Sequence, residues 1–334
     1  METAKSRGEW FDPALGRLTF GKWAASWLAG QSQLRPSTHN RYERILQHQV
    51  LPWWEKVPLA AISHADVVAW VGDLVAKEYA PATVRQAHRV FSLILGLAVR
   101  DGRLARNVAQ AVRLPRIVPK EKRFLTHEQV SLLADACGPS ALAVRFLAYT
   151  GLRWGEFAAL RVRHVDLTRR RVTVAESAAE VQGKIIFGPT KTHQRRVVVL
   201  PRFLVDPLAE HIGDRPADEL LFPAPNGGVM RNSNFRHRVL TPAAESVGLA
   251  GLSPHDLRHT AASLAIAAGA NVKVVQQMMG HASAAMTLDV YAGLFGDDLD
   301  AVAESLDAAA RRSNADILRT SGPRLAVVPL QSSG

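Results

Sequence analysis

The sequence predicts a mainly α protein with a small β-sheet, built as a helical N-terminal domain followed by an α+β domain. Three observations carry that prediction. Apolar residues recur at helical spacing through most of residues 19–104. The stretch Leu114–Arg123 then gathers two prolines and several charges, which reads as an extended linker. Beyond it the helical pattern is interrupted by three β-rich runs, Arg171–Val174, Lys184–Phe187 and Val197–Leu200. The boundaries that follow are a leader over 1–18, a helical domain over 19–112, a linker over 113–123, a second domain over 124–312 and a tail over 313–334. Apolar residues make up 47% of the 334, enough for a sizeable core.

The elements follow in order. Thr19 is placed to cap a helix carrying Phe20, Trp23, Ala24, Trp27 and Leu28 on one side. Ser37 or Thr38, after Pro36, opens a second helix with Tyr42, Ile45 and Leu46 on one face. Ser63 caps a third, with Val67, Val68, Val71 and Leu74 inward. A fourth runs from about Pro81 to Arg100, with Val84, Ala87, Val90, Phe91, Ile94 and Leu95 inward. Four helices with short connections make a small bundle. The outer faces of the second and fourth are polar and basic: Thr38, Asn40, Arg41 and Arg44 on one, Thr83, Arg85, Gln86 and Arg89 on the other. Singly, such residues read as a solvated surface. Together they suit a helix in a DNA groove, with arginines on phosphates or guanine edges. Lys120 and Lys122 give the linker the charge to follow a phosphate backbone as well.

In the second domain Thr126 caps a helix with Glu128 and Gln129 in its first turn, and an apolar helix over about Ser140–Thr150 ends at Gly151. After the β runs the chain is mainly helical to about Arg312, and the last helix carries Val302 and Leu306 on one side. That side can dock on a neighbouring protomer or pack on its own domain.

Charge and composition narrow the function. Lys plus Arg number 41 against 30 Asp plus Glu, a net +11, which favours a polyanionic partner. Residues 1–118 hold 16 basic and 9 acidic residues, net +7, against 25 and 21, net +4, in the rest. The N-terminal third is therefore the denser cation. Cys137 is the only cysteine, so no disulfide framework or Cys-based metal cluster forms within one chain. The first residues lack the apolar region of a signal peptide, and the longest apolar stretches, such as Ala261–Ala268, are too short to span a bilayer. A cytoplasmic protein without a membrane partner is expected.

Four segments carry the chemistry. In Thr150-Gly-Leu-Arg-Trp-Gly-Glu156, Arg153 sits where one helix ends and another begins, able to project into a cleft. In Gly188-Pro-Thr-Lys-Thr-His-Gln-Arg-Arg196, Lys191 lies on a turn read as a hairpin between two β runs. In Leu252-Ser-Pro-His-Asp-Leu-Arg-His-Thr260, Ser253 and Pro254 make a strong helix start. His255 falls in the first turn, where the helix end favours an anion, and Arg258 and His259 share its face. Zinc through His255 and His259 is disfavoured because the Glu of HExxH is missing and Arg258 is adjacent; His259 reads as a buried structural histidine. In Met279-Gly-His-Ala-Ser-Ala-Ala-Met-Thr-Leu-Asp-Val-Tyr291, Gly280 ends a helix, His281 follows, and Tyr291 stands ten residues later on a short helix. Alone, Tyr291 reads as a core aromatic with its hydroxyl at the surface.

The order GLRxxE, hairpin Lys, HxLRH, then GH with Tyr ten residues on, resembles the catalytic domain of the tyrosine recombinases, the phage integrases, from about Phe124 to Phe295. The preceding helical region resembles that family's core-binding domain more loosely. Trp10-Phe-Asp-Pro and Gly16-Arg-Leu-Thr-Phe20 resemble the corresponding segment of actinobacterial and mycobacteriophage integrases. About 18 residues stand where larger members carry an arm-site-binding domain, too few to fold as one; the chain is either naturally short or shortened. One departure is Met-Met-Gly-His where Leu-Gly-His is commoner, a volume-conserving change.

The resemblance implies that Arg153, Lys191, His255, Arg258, His281 and Tyr291 form the active-site set. It implies a two-domain clamp on double-stranded DNA attachment sites, with cleavage and rejoining through a 3′-phosphotyrosine. It also implies a homo-tetramer exchanging strands through a Holliday junction, and integration of a mobile element with excision as a second direction. A host DNA-bending protein and a directionality factor are further partners it leaves open. The residue types suit phosphoryl transfer without metal or cofactor: Arg153 and Arg258 as bidentate donors to the phosphate, His255 assisting proton removal, Lys191 as acid, His281 donating to a phosphate oxygen. Two other classes stay open, a type IB topoisomerase-like DNA relaxase and a DNA-binding regulator with an inactive site, although the complete residue set argues against the latter.

Overall fold

The computed structural model of the protein describes residues 15–118, 122–190, 195–295, 303–304 and 306–312. It is mainly helical with two small antiparallel sheets, as the pattern led us to expect. Two compact units are formed, Met1–Ala261 and Ala262–Gly334.

The first unit opens with helices α1 (Phe20–Ala29), α2 (Pro36–Ile45), α3 (His64–Ala76) and α4 (Pro81–Arg100). Thr19 occupies the N-cap position of α1 but makes no side-chain cap bond. Ser63 caps α3 in a full capping box with Asp66. Helix α2 differs from expectation. It begins at Pro36 itself, with Arg35 as N-cap, because the proline ring suits the first helical position and its missing N–H has no partner to lose there. It runs on through a π turn, Leu46–Val50, into Leu51–Trp54. Pro52 has no N–H for the carbonyl of His48, and its ring crowds that carbonyl, so the ladder widens.

The four helices close over a core confined to residues between Phe20 and Ala109, centred on Phe91. That ring lies 4.9 Å from Phe20, 4.9 Å from Trp54 and 5.0 Å from Trp70. Val68, expected inward, is exposed, and Trp70 takes the inner position one turn after Val67. The segment after α4 is stitched back onto it: Nε2 of His88 meets the Ala109 carbonyl at 2.9 Å, and Arg85 donates to the Pro115 carbonyl at 3.2 Å.

Beyond the linker come α5 (His127–Ala136), α6 (Ala141–Thr150) and the short α7 (Trp154–Ala158). Five strands follow: β1 (Val165–Asp166), β2 (Arg171–Val174), β3 (Glu176–Val181), β4 (Lys184–Pro189) and β5 (Arg196–Val199). They form one sheet ordered β1-β2-β5 and a separate hairpin β3-β4. The hairpin turns at Gln182–Gly183, both at positive φ (49° and 77°), as a two-residue turn between twisted strands requires. This corrects the expected topology. Strand β4 pairs with β3 and β5 with β2, so the two runs that flank Lys191 are not each other's partners; residues 191–194 themselves lie outside the described residues. Helix α8 (Val205–Ile212) comes next, then helical turns over Asn232–Ser246, with a second π turn, Arg236–Leu240, just before Pro242. Helix α9 (Pro254–Ala267) closes this unit and enters the next.

The second unit holds the end of α9 together with α10 (Val272–Met279) and α11 (Ala284–Tyr291). Val302 of the expected tail helix lies outside the described residues; Leu306 is helical and exposed. Among the described residues no helix is long and apolar enough to cross a membrane.

Candidate active site

In the first unit the site is built at the α6–α7 junction. Gly151 ends α6 in the left-handed conformation (φ 64°), its N–H returning to the Leu147 carbonyl, and so turns the chain sharply. Arg153 then becomes the N-cap of α7. Its N–H donates to Oε2 of Glu156 at 2.9 Å and its Nη1 to Oε1 at 2.9 Å. Glu156 is buried (1% exposed) and also takes both terminal nitrogens of Arg196, at 2.9 and 2.6 Å. Burial alone would raise its carboxyl pKa. The bonds and charge of Arg196, joined by those of Arg153, outweigh that and hold it at about 2. The Glu156 carboxylate thus ties Arg153 to the start of β5, whose Arg196 lies 40 residues beyond Glu156. Gly155 lets α7 approach β3 this closely: a Cβ there would stand 2.5 Å from Ser177 Oγ and 2.6 Å from the Ala178 carbonyl.

Arg258 enters from α9. It is buried and donates to the carbonyl of Gly151, two residues before Arg153. The first turn of α9 is set by Asp256, whose carboxylate accepts the Ser253 N–H at 2.8 Å and hydroxyl at 2.7 Å. The helix is pinned from behind by Thr260, whose hydroxyl accepts the Leu125 N–H at 3.1 Å and donates to the Asp256 carbonyl at 2.9 Å. His255 stands beside both arginines. The residue is exposed, yet partial desolvation of its ring lowers its pKa below the usual histidine value, and the charges of Arg258 and Arg153 lower it further against the pull of Asp256. Its imidazole meets that of His259 edge-on at 4.6 Å. His259 is half-buried rather than fully enclosed, and burial, then His255, depress its pKa to about 4.

In the second unit, α10 ends in a Schellman motif: Gly280 is left-handed, its N–H meets the Gln277 carbonyl, and the His281 N–H reaches the Gln276 carbonyl. Ser283 caps α11 by accepting the Met286 N–H. His281 Nδ1 lies 2.9 Å from the hydroxyl of buried Thr287, which orients the ring. Tyr291 is the last residue of α11, 2% exposed, its ring nearly parallel to that of His281 (9°) at 6.3 Å.

Two family models match the chain, "Phage integrase family" over residues 123–295 and "Phage integrase central domain" over residues 20–114. The chain belongs to the phage integrase family. The integrase of Mycobacterium phage D29 is 28% identical over 298 residues, covering 84% of this recombinase and 78% of that protein. The tyrosine recombinase XerC of Roseiflexus castenholzii is 31% identical over 235 residues, covering 68% and 73%. In fold, this recombinase is similar to the Tn1549 transposon integrase solved with a circular intermediate DNA (TM-score 0.73, 22% identity, 87% of this chain and 99% of that one). It is also similar to a lambda integrase dimer bound to a COC′ core site (TM-score 0.63, 16% identity, 86% and 80%).

Of the six expected site residues, the recombinase brings Arg153, His255 and Arg258 together in the first unit and His281 and Tyr291 in the second; Lys191 lies outside the described residues. Among the expected DNA-binding residues Arg41, Arg44, Arg89 and Lys122 are exposed, and Thr38 and Gln86 are half-buried. Arg85, although exposed, is bonded to the linker at Pro115, and Lys120 lies outside the described residues. Sequence reasoning passed over Glu156, Arg196 and Thr287 as structural parts of the site. Glu156 was visible as the acid of GLRxxE; nothing local marked Arg196 as its partner.

Proposed function

We propose that this recombinase cleaves and rejoins double-stranded attachment-site DNA through Tyr291. The phenol oxygen bonds to the scissile phosphorus as the bond to the 5′ oxygen breaks, leaving a 3′-phosphotyrosine and a 5′-hydroxyl. The bond energy is kept, so rejoining needs no ATP. Arg153 and Arg258 hold the non-bridging oxygens with charges that do not titrate away. A neutral His255 assists removal of the phenol proton, Lys191 protonates the departing 5′ oxygen, and His281 donates to a phosphate oxygen. Residues 19–112 grip the DNA through Thr38, Arg41, Arg44, Arg85, Gln86 and Arg89, the linker adds Lys120 and Lys122, and residues 124–312 carry the chemistry. Four copies exchange strands through a Holliday junction in the cytoplasm of a bacterial host, integrating a mobile element and excising it when the direction is reversed.

The observation that carries this reading is the α6–α7 junction, where Arg258 is bonded to the turn leading into Arg153 and both charges bear on His255. Two fixed guanidiniums beside a neutral imidazole suit a phosphodiester approached by a phenol. The test is Tyr291→Phe. It should bind attachment-site DNA as before and form no covalent adduct on denaturing gels; an adduct that survives the substitution excludes Tyr291 as nucleophile. On two-site plasmids, relaxation without recombinant products would point to a relaxase instead.

A further inference from the structure

We propose that Thr287 is a positioning residue that selects the tautomer of His281, leaving Nε2 as the N–H that donates to the scissile phosphate. The inference rests on the reading of His281 as a phosphate donor. Both residues lie in the second unit. The backbone of His281 is fixed at both polar atoms: its N–H reaches the Gln276 carbonyl at 3.1 Å, and its own carbonyl accepts Nε2 of Gln276 at 3.2 Å. The side chain is then held by Thr287, whose Oγ1 lies 2.9 Å from Nδ1.

A neutral imidazole carries one N–H and one bare nitrogen, and the partner of one decides the role of the other. Thr287 is 0% exposed, so its hydroxyl hydrogen needs a partner within the protein. Two other buried helical threonines direct that hydrogen to the carbonyl one turn back, Thr150 to Phe146 at 2.6 Å and Thr260 to Asp256 at 2.9 Å. Thr287 does not: among the described residues its hydroxyl has one hydrogen-bond partner, Nδ1 of His281. Were Nδ1 the donor, the hydroxyl hydrogen would be buried and unpaired, the costlier arrangement. The hydroxyl therefore donates to Nδ1, and the ring proton sits on Nε2.

Thr287 also stands one turn before Tyr291 on α11, and both are buried. The helix that ends in the nucleophile thus carries the group that orients the donor, and one element sets both. As the phenol oxygen bonds to phosphorus, negative charge builds on the non-bridging oxygens. An N–H aimed there stabilises it; the opposite tautomer would aim a lone pair at an oxyanion. Removing one such donor costs on the order of 10²–10³-fold in rate, and misaiming it by about 1 Å on the order of 100-fold.

Histidine-selective nitrogen NMR on the unaltered full chain reads the tautomer directly, with the His281 signals identified by their absence from His281→Leu. At the pH of cleavage the ring should be protonated at Nε2 only, with Nδ1 accepting a hydrogen bond. In Thr287→Val, which keeps the shape and removes the hydroxyl, the Nδ1 signal should move to that of a nitrogen without a bonded donor. Single-turnover cleavage at saturating protein should slow roughly 10- to 100-fold in Thr287→Val, less than in His281→Leu, and Thr287→Ser should recover to within about threefold. In a His281→Leu background, Thr287→Val should change the rate by less than about twofold, since the donor it orients is gone. A proton on Nδ1 in the unaltered protein overturns the inference, and that measurement needs no threonine variant to fold. So does a His281 signal indifferent to Thr287→Val, no recovery in Thr287→Ser, or further slowing in the double variant. If His281→Leu cleaves at the unaltered rate, the donor reading of His281 falls and this inference with it; a slow His281→Leu beside an unimpaired Thr287→Val removes the inference alone.

Discussion

Replacing Glu156 with glutamine removes one negative charge from beneath two arginines and leaves the volume almost unchanged. The carboxyl is held at about 2, against about 4.5 when solvated. That difference is worth about 3 kcal/mol between the ionised and neutral side chain. Loss of one partner from a buried pair costs roughly 3–5 kcal/mol. The lower end applies here, because water reaches the Arg153 side chain, 24% exposed, and less so that of Arg196, 11%. The glutamine amide also points an N–H donor at guanidinium donors. Because the folded pKa lies below the unfolded one, the contribution is fully present above pH 4.5 and is lost as pH falls through about 2. Urea unfolding of Glu156→Gln should therefore show a deficit of about 3 kcal/mol at pH 7, shrinking to about 1 kcal/mol at pH 3. The melting temperature at neutral pH should fall by about 6–12 °C. A deficit below about 1 kcal/mol at pH 7, or one that does not shrink with acid, would refute the claim that this carboxylate anchors the Arg153 junction.

Other outcomes follow from the same geometry. Gly155→Ala should destabilise by about 1–3 kcal/mol in urea unfolding, because its Cβ meets the Ala178 carbonyl at 2.6 Å and a backbone atom cannot rotate away. Single-turnover cleavage should be flat above the ordinary histidine pKa of 6.5 and decline only below it, since His255 is depressed and its neutral form is the active one; His255→Gln should lose that acid limb. DNA binding should weaken steeply with salt, and Arg41→Ala or Arg44→Ala should each lower the slope of log K against log salt by about 1, read by fluorescence anisotropy.

The helices were legible where a local rule sets them. Gly151 and Gly280 terminate α6 and α10 at the positive φ that glycine adopts most readily. Ser63 and Asp66 close a capping box within four residues. His255 and Arg258 share a face because they are three residues apart in a helix whose start Ser253 and Pro254 announce. Strand β3 was not legible: Glu-Ser-Ala-Ala-Glu-Val has low β propensity and no clean alternation. Without β3 the sequence offers β5 as the partner of β4, whereas the fold pairs β4 with β3 and β5 with β2. In the helical bundle the inward place of Trp70 and the packing of Trp54 depended on which face of each helix met Phe91.

By itself, then, the sequence determined the fold class, the helix ends and the order of residue types that marks the family, since all of these follow from interactions within a few residues or from spacing. Tertiary structure decided which of those residues are held and by what. Glu156 finds Arg196 across 40 residues and Arg35 finds Thr190 across 155. Many side chains in the sequence have the chemistry to make those bonds. Only the closed fold selects among them, because burying a charge or a carbonyl is tolerable only where a matching partner is already in reach.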